Sequence, residues 1–183
     1  MQELARLPRM TSEEFIAWAM DQPEGKRYEL VAGEVVAMAP ERVAHARMKG
    51  LIYRRLSDAI EAAGLPCEAL PDGPSVEIDP NTVYEPDVLV RCGPPVPDDA
   101  VRLNDPMIVV EVRSPSTAFV DAGAKLADYF RLPSVRHYLI VKTENRSIIH
   151  HARAADGAIT TRIVRDGNLT LDPPGIALAN LFG

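Results

Sequence analysis

The stretch that decides the fold is DPMIVVEVRSPST, residues 105–117. Its apolar run predicts a buried strand, yet this run contains a carboxylate, Glu111, between Val110 and Val112. An ionised carboxylate that is removed from water costs several kcal/mol unless another group compensates its charge. Glu111 therefore needs a cation, a proton or a route to solvent, and the rest of the sequence must indicate which.

A second acid has a similar position in EPDVLV, residues 85–90, where Asp87 follows Pro86 at the head of an apolar run. If the two strands are neighbours, Asp87 and Glu111 can converge on one hard cation, because Mg²⁺ is typically bound by one or two carboxylates and by water. Alternatively, Asp87 begins a strand near solvent and Glu111 pairs with an arginine. These residues alone leave both interpretations open.

Helical patterns occur in three segments of the chain. TSEEFIAWAMDQ, residues 11–22, opens with a capping box formed by Thr11 and Glu14. ERVAHARMKGLIYRRLSDAIEAAG, residues 41–64, has apolar residues three and four apart and ends at a glycine. SPSTAFVDAGAKLADYFRLP, residues 114–133, begins with hydroxyl side chains that can cap a helix and ends at a proline.

Short apolar runs bounded by turn residues predict the strands. The first run is interrupted by Ala32-Gly33 and predicts a hairpin, and turns at Asp156-Gly157 and Asp166-Gly167 separate the last three runs. Strands that flank single helices favour a mixed α/β (α+β) domain with a central sheet. The predicted segments are RYELVAGEVVAMAP (27–40), SVEID (75–79), EPDVLVRC (85–92), PMIVVEV (106–112), RHYLIV (136–141), RSIIHHARA (146–154), AITTRIV (158–164) and LTL (169–171).

Composition limits the class of protein. The 183 residues, 46% of them hydrophobic, predict one globular domain that spans residues 1–183. No apolar segment approaches the ~20 residues of a membrane span, and the N-terminus lacks a signal-peptide core, so we expect a cytoplasmic protein. Net charge -6 argues against nucleic-acid binding through bulk positive charge, although it allows a local basic patch.

Cys67 and Cys92 lack metal-type spacing and predict two reduced structural thiols.

Five segments taken in order resemble the Uma family of endonuclease-like proteins, within the PD-(D/E)XK restriction-endonuclease-like superfamily. The resemblance runs from about Phe15 to Val141 and covers most of the chain. It implies a restriction-endonuclease-like core, with a central mixed sheet flanked by helices, an N-terminal hairpin and C-terminal antiparallel strands. The segments are YELVAGEVVAMAPERVAH (28–45), EPDVLV (85–90), VVEVRSPST (109–117), DAGAKLADYF (121–130) and RHYLIV (136–141).

The resemblance also implies a set of site residues. Asp87 and Glu111 correspond to metal ligands, with the backbone carbonyl of Val112 as a third ligand. Glu29 and His45 match the upstream acid and histidine of the family pattern. The implied cofactor is Mg²⁺, with Mn²⁺ as an alternative, and the implied substrate is DNA.

The sequence departs from the superfamily motif at its lysine, because Arg113 stands two residues after Glu111. Arginine can stabilise negative charge but stays protonated, so it cannot act as a general base. On the strand, we expect Arg113 to face the same side as Glu111. In relatives of this type the lysine lies on the next helix, where Lys125 stands. The alternative for Lys125 is a surface ion pair with Asp121, one helical turn away.

The histidines allow more limited predictions. His45 lies three and seven residues before Met48 and Ile52, on the apolar side of its helix, so it is either a core histidine or an active-site residue. His150 and His151 are adjacent in a predicted strand and point to opposite faces, so they cannot chelate one metal together. We expect both to be structural or exposed.

The sequence therefore predicts a metal-dependent DNA endonuclease that hydrolyses phosphodiester bonds. Two alternatives stay open: a non-catalytic nuclease-fold binding or assembly module, and a small-molecule phosphate or sugar enzyme on the same scaffold. A homodimer is expected, since cutting both strands calls for two sites. The longest helix carries basic residues that form either a phosphate-contacting surface or a solvated face, and these are Arg42, Arg47, Lys49, Arg54 and Arg55.

Overall fold

The structure is a computed structural model that describes residues 8–113 and 122–182. Within these residues the chain forms three helices, which are α1 (Ser12–Met20), α2 (Val43–Ala63) and α3 (Ala122–Tyr129). The strands are β1 (Tyr28–Val31), β2 (Glu34–Ala37), β3 (Cys67–Pro71), β4 (Ser75–Asp79), β5 (Thr82–Tyr84), β6 (Val88–Cys92), β7 (Arg102–Leu103), β8 (Ile108–Arg113), β9 (His137–Lys142), β10 (Ser147–Arg153), β11 (Ile159–Val164), β12 (Leu169–Leu171) and β13 (Ile176–Leu178).

The larger sheet has six strands in the order β11-β10-β9-β8-β6-β3. Strands β8 and β9 are parallel, while the other neighbouring strands run antiparallel. A parallel pair needs a long crossover, and α3 lies in the connection between β8 and β9. The prediction of a central mixed sheet with antiparallel C-terminal strands is confirmed, and β12 and β13 form a separate two-stranded sheet.

The second sheet has five strands in the order β2-β1-β5-β4-β7. Strands β1 and β2 form the predicted hairpin, whose turn residues Ala32 and Gly33 both have positive φ, 49° and 84°. This backbone conformation matches the right-handed twist of the strands. The other edge of β1 pairs with β5 through Leu30 and Val83, and β5 ends three residues before Asp87. The pairing therefore brings β1 to the head of β6.

The six-stranded sheet is covered on both faces, because residues in a strand alternate between its two sides. One face of β8, which carries Val110, packs against Ile52 and Leu56 of α2. The opposite face, which carries Val109, packs with Tyr129 of α3. Glu111 lies on β8 two residues after Val109, and so belongs to the α3 side of the sheet.

Most predicted elements are confirmed, with shifted ends. The capping box at Thr11 forms, and α2 ends before Gly64, which has the left-handed conformation typical of a C-cap. Strand β6 begins at Val88 rather than at residue 85. Of the predicted helix at residues 114–133, α3 accounts for Ala122–Tyr129, and its predicted start lies outside the described residues. The pattern analysis missed four short strands, which are β3, β5, β7 and β13.

The prediction of two reduced thiols is wrong in this structure. Cys67 and Cys92 form a disulfide with a Cα–Cα distance of 3.9 Å. The two residues are directly opposite each other in the antiparallel pair of β3 and β6. Cys67 and Cys92 are 25 residues apart in the sequence. Because β3 was not predicted, the sequence analysis gave no indication that they face each other.

No helix within residues 8–113 and 122–182 has the length and apolar character needed to cross a membrane.

Candidate active site

Asp87 stands immediately before β6, with its carboxylate held by two donors. Its Oδ2 accepts a hydrogen bond from the backbone N–H of Val112 at 2.6 Å, and its Oδ1 lies 2.9 Å from Nε2 of His45 on α2. Burial raises the pKa of Asp87, but the hydrogen bond and charge of His45 and the Val112 N–H together bring it below its ordinary value. The Asp87 bond likewise raises the pKa of His45 against the effect of burial. Each of the two groups therefore stabilises the charged form of the other.

Glu111 is buried on β8 and accepts two hydrogen bonds on the same oxygen. Nζ of Lys125 and the hydroxyl of Tyr129 each lie 3.1 Å from Oε1. Burial raises the pKa of Glu111; the charge of Lys125 opposes this effect, and the nearby charges of Glu29 and Asp87 add to it. Lys125 and Tyr129 are therefore the groups that compensate the buried carboxylate of Glu111, and they do so only in part, since its pKa stays raised.

Lys125 is buried between two carboxylates rather than exposed on the outside of α3. Only 3% of the residue is accessible, and its Nζ lies 2.8 Å from Oε1 of Glu29 as well as 3.1 Å from Glu111. The same oxygen of Glu29 accepts a hydrogen bond from the backbone N–H of Glu85 at 3.0 Å. The alternative of a surface ion pair is wrong, and Asp121, its expected partner, lies outside the described residues. Strand β1 supplies Glu29 because it pairs with β5.

Arg113 is also buried, and its charge lowers the pKa of Glu111. This interaction agrees with the expectation that the two side chains share one side of β8. For Val112, the described hydrogen bond involves its N–H and Asp87, so the role of its carbonyl as a metal ligand stays a prediction.

A fourth carboxylate, Glu41, which the sequence analysis did not select, lies close to Asp87. Glu41, His45 and Asp87 each offer one ligand atom, and these atoms lie within 4.8 Å of one another. Glu41 also accepts hydrogen bonds from Nζ of Lys49 at 2.6 and 2.8 Å and from Arg27 at 2.5 Å. The spacing of Glu41 and His45, four residues apart at the start of a predicted helix, was the signal that could have identified it.

Lys49 does not belong to an exposed basic surface. Its ammonium is buried and contacts Asp72 at 2.8 Å in addition to Glu41. Arg42, the N-cap of α2, is exposed, as are Arg47 and Arg54 on the helix. A phosphate-contacting surface on α2 would therefore consist of these exposed arginines and not of Lys49.

The C-terminal histidines lie in separate structural environments on opposite faces of β10, as predicted. His151 lies 2.7 Å from the hydroxyl of Thr161. His150 is buried and accepts a hydrogen bond at Nδ1 from Nε of Arg162, at 3.1 Å. Its Nε2 must then carry the proton and donate to Nδ1 of His137 at 2.9 Å. His137 in turn donates from Nε2 to the carbonyl of Pro173 at 2.8 Å, which completes a chain of neutral imidazoles.

A family model described as "Uma2: Putative restriction endonuclease" matches residues 12–180. The chain belongs to the Uma2 family. It is 30% identical over 156 residues to the uncharacterized protein slr1290 of Synechocystis sp., covering 84% of this chain and 79% of that protein. A crystal structure of a "putative nuclease belonging to DUF820" from Anabaena variabilis superimposes with a TM-score of 0.69 at 12% identity, covering 94% of this chain and 97% of the other. The family description supports a nuclease for this Uma2 protein, and the structural match shows a shared fold.

The residues of this Uma2 protein fit a divalent cation. Carboxylate oxygens are the ligands that Mg²⁺ and Mn²⁺ prefer, and a neutral imidazole is compatible with Mn²⁺. Asp87 forms one donor set with Glu41 and His45, and the set that the family resemblance implies joins Asp87 to Glu111 instead. Burial, followed by the nearby charges of Glu29 and Asp87, raises the pKa of Glu111 against the effect of Lys125. A bound cation would favour the ionised form of this carboxylate.

Proposed function

We propose that this Uma2 protein is a divalent-metal-dependent endonuclease that hydrolyses phosphodiester bonds in DNA. The observation that carries the proposal is the buried group of Glu29, Glu111 and Lys125 next to Asp87. Burial of charged groups costs free energy through desolvation. Carboxylates with perturbed pKa values cluster at functional sites, which favours a functional role for this group. Family membership and fold support the same class of reaction.

Asp87 and Glu111, with the carbonyl of Val112, are the residues that would hold Mg²⁺ or Mn²⁺. When bound, such a cation lowers the pKa of a coordinated water and neutralises charge on the scissile phosphate. Asp87 is suited to this role because its lowered pKa keeps it ionised. His45 orients Asp87 through the 2.9 Å contact, which is the usual function of a group placed behind a metal ligand.

Lys125 and Arg113 are the cations that would stabilise the negative charge that develops in the transition state. Glu29 holds Nζ of Lys125 at 2.8 Å and so fixes its position relative to Glu111. Arg113, as an arginine, can contribute only charge and donated hydrogen bonds. The proposed division of roles assigns metal binding to the carboxylates and charge stabilisation to the basic side chains.

The test compares Glu111→Gln with Lys125→Ala. Glu111→Gln should lose both calorimetric Mn²⁺ binding and metal-dependent cleavage of plasmid DNA. Lys125→Ala should still bind Mn²⁺ but lose cleavage activity, by about a hundredfold or more, as is typical when one preorganised electrostatic contact is removed. Glu61→Gln and Lys26→Ala, at exposed positions, are matched controls that should keep both properties. Absence of metal-dependent cleavage by the wild-type protein would refute the proposal and favour a non-catalytic module or a small-molecule enzyme.

A spectroscopic experiment distinguishes the two donor sets that share Asp87. If Glu111 and Asp87 hold the cation, the electron spin-echo spectrum of bound Mn²⁺ should lack nitrogen coupling from His45, and Glu41→Gln should bind Mn²⁺ nearly as well as wild type. Nitrogen coupling that disappears in His45→Gln would instead assign the cation to Glu41, His45 and Asp87.

The proposal includes a homodimer, because symmetric cleavage of two strands needs two sites. Light scattering during gel filtration measures the mass of the particle in solution. A mass near 20.0 kDa at high protein concentration would correspond to one chain and would refute the dimer.

A further inference from the structure

Tyr129 is a buried tyrosine that has no assigned role in the proposed reaction. It is the last residue of α3, four residues after Lys125, so both side chains lie on the same face of the helix. The residue has no accessible surface. Its hydroxyl donates to Oε1 of Glu111 at 3.1 Å, the oxygen that also accepts from Lys125 at the same distance.

The ring of Tyr129 is fixed by aromatic neighbours. Its centroid lies 5.5 Å from that of Tyr84 and 5.1 Å from that of Tyr138, within the distances of favourable aromatic pairs. These contacts come from β5 and β9, on two different sheets. The ring therefore has little freedom to turn, and the direction of its hydroxyl is set by the packing of the core.

Two donors on one oxygen constrain the carboxylate of Glu111. Both described hydrogen bonds to this side chain end on Oε1, which leaves Oε2 as the oxygen for a different ligand. Lys125 alone would not fix the carboxylate plane, because an ammonium on a flexible chain is a point charge without directional preference. The hydroxyl of Tyr129, on a ring fixed by packing, adds a hydrogen bond of defined direction to this carboxylate.

We propose that Tyr129 is a positioning residue, whose hydroxyl holds Oε1 of Glu111 so that Oε2 faces the divalent cation. This inference rests on the proposed function for its cation, but the orientation of Glu111 is a property of the protein alone. Groups that orient a metal ligand typically contribute tenfold to a hundredfold in metal affinity.

The test uses Tyr129→Phe, which keeps the ring and removes only the hydroxyl. Isothermal titration with Mn²⁺ should show an affinity about tenfold or more below that of wild type. Crystals of the variant without metal should show the Glu111 carboxylate rotated or in two orientations. A merely structural role for the hydroxyl would lower the melting temperature without moving the carboxylate.

Tyr84→Phe is the matched control, because it removes an equally buried hydroxyl from the same group of rings. The Tyr84 hydroxyl donates to Asp128 at 2.6 Å instead of to Glu111. This variant should bind Mn²⁺ with wild-type affinity and keep the wild-type orientation of Glu111. A Tyr129→Phe variant with unchanged Mn²⁺ affinity and an unchanged Glu111 carboxylate would overturn the inference.

The two proposals fail in different ways. If wild-type protein binds no Mn²⁺ by calorimetry, the proposed metal-dependent function fails. The crystal structure of Tyr129→Phe without metal then still decides whether the hydroxyl orients Glu111. A rotated carboxylate would support the positioning role in the protein alone, and an unrotated one would refute it.

Discussion

Acidification should weaken the fold through one buried side chain, His150. Burial, together with the charges of His137, Arg162 and His151, lowers its pKa from 6.5 to about 3. Its two ring nitrogens are already engaged, one by the Arg162 donor and one by His137, so an added proton has no acceptor. The folded protein therefore resists protonation at a pH where the unfolded chain accepts a proton freely.

The sign and the size of the effect follow from proton linkage. Because the folded pKa lies below the unfolded value, the unfolded state binds more protons between pH 6.5 and about 3, and stability falls as the pH falls through this window. One such group contributes about 1.4 kcal/mol per pH unit. Lowering the pH from about 6.5 to about 4.5 should thus remove about 2 to 3 kcal/mol of unfolding free energy through His150.

The assay is urea unfolding followed by circular dichroism, at several pH values, for wild type and for His150→Gln. Other groups titrate in the same range, but they are common to both proteins and cancel in the difference. The stability of wild type relative to the variant should decline by about 2 to 3 kcal/mol over those two pH units. Parallel pH profiles for the two proteins would refute the reasoning.

Three further predictions concern the site and the sheet edge. Lys125→Met should lower the unfolding free energy at neutral pH by about 3 to 5 kcal/mol, since it leaves Glu29 and Glu111 buried without their cation; urea unfolding measures this, and a change as small as that of the exposed Lys26→Met would contradict it. Glu111→Gln should melt at or above the wild-type temperature in EDTA, because the raised pKa of Glu111 means that its ionised form destabilises the fold; a clear decrease would favour a structural ion pair. Reduction of the Cys67–Cys92 disulfide, which closes a loop of 25 residues, should remove about 3 to 4 kcal/mol; thermal melts with and without a reductant measure this, and equal melting temperatures would argue against the disulfide.

Local sequence patterns predicted the elements that carry the site. The apolar run around Glu111 identified β8, and helical spacing identified α2 with His45. Lys125 was selected through the family resemblance, since its helical spacing alone indicated a surface ion pair. Within one element, the alternation of side chains was sufficient to place Arg113 on the side of Glu111.

Local patterns did not predict the residues whose roles depend on pairing between distant strands, although the family resemblance supplied Glu29. Strand β5 has only three residues, so its pattern is too short to recognise, yet it determines where Glu29 lies. Glu41 lies close to Asp87, and Tyr129 donates to Glu111, and in both pairs the two residues are distant along the chain. The disulfide depends on the register of β3 against β6, and β3 was not predicted from the sequence.

The 2.8 Å contact between Glu29 and Lys125 joins residues that are 96 positions apart. Contacts at such a separation are slow to form, because the entropy of closing a long loop must be overcome first. On a chain emerging from the ribosome, the residues of β1 and β8 are synthesised before those of α3, so Glu29 and Glu111 precede Lys125. The charged cluster is therefore complete only when synthesis has passed α3 and the two sheets have docked. Partly made chains lack it, and any hydrolytic capacity arises with the finished fold.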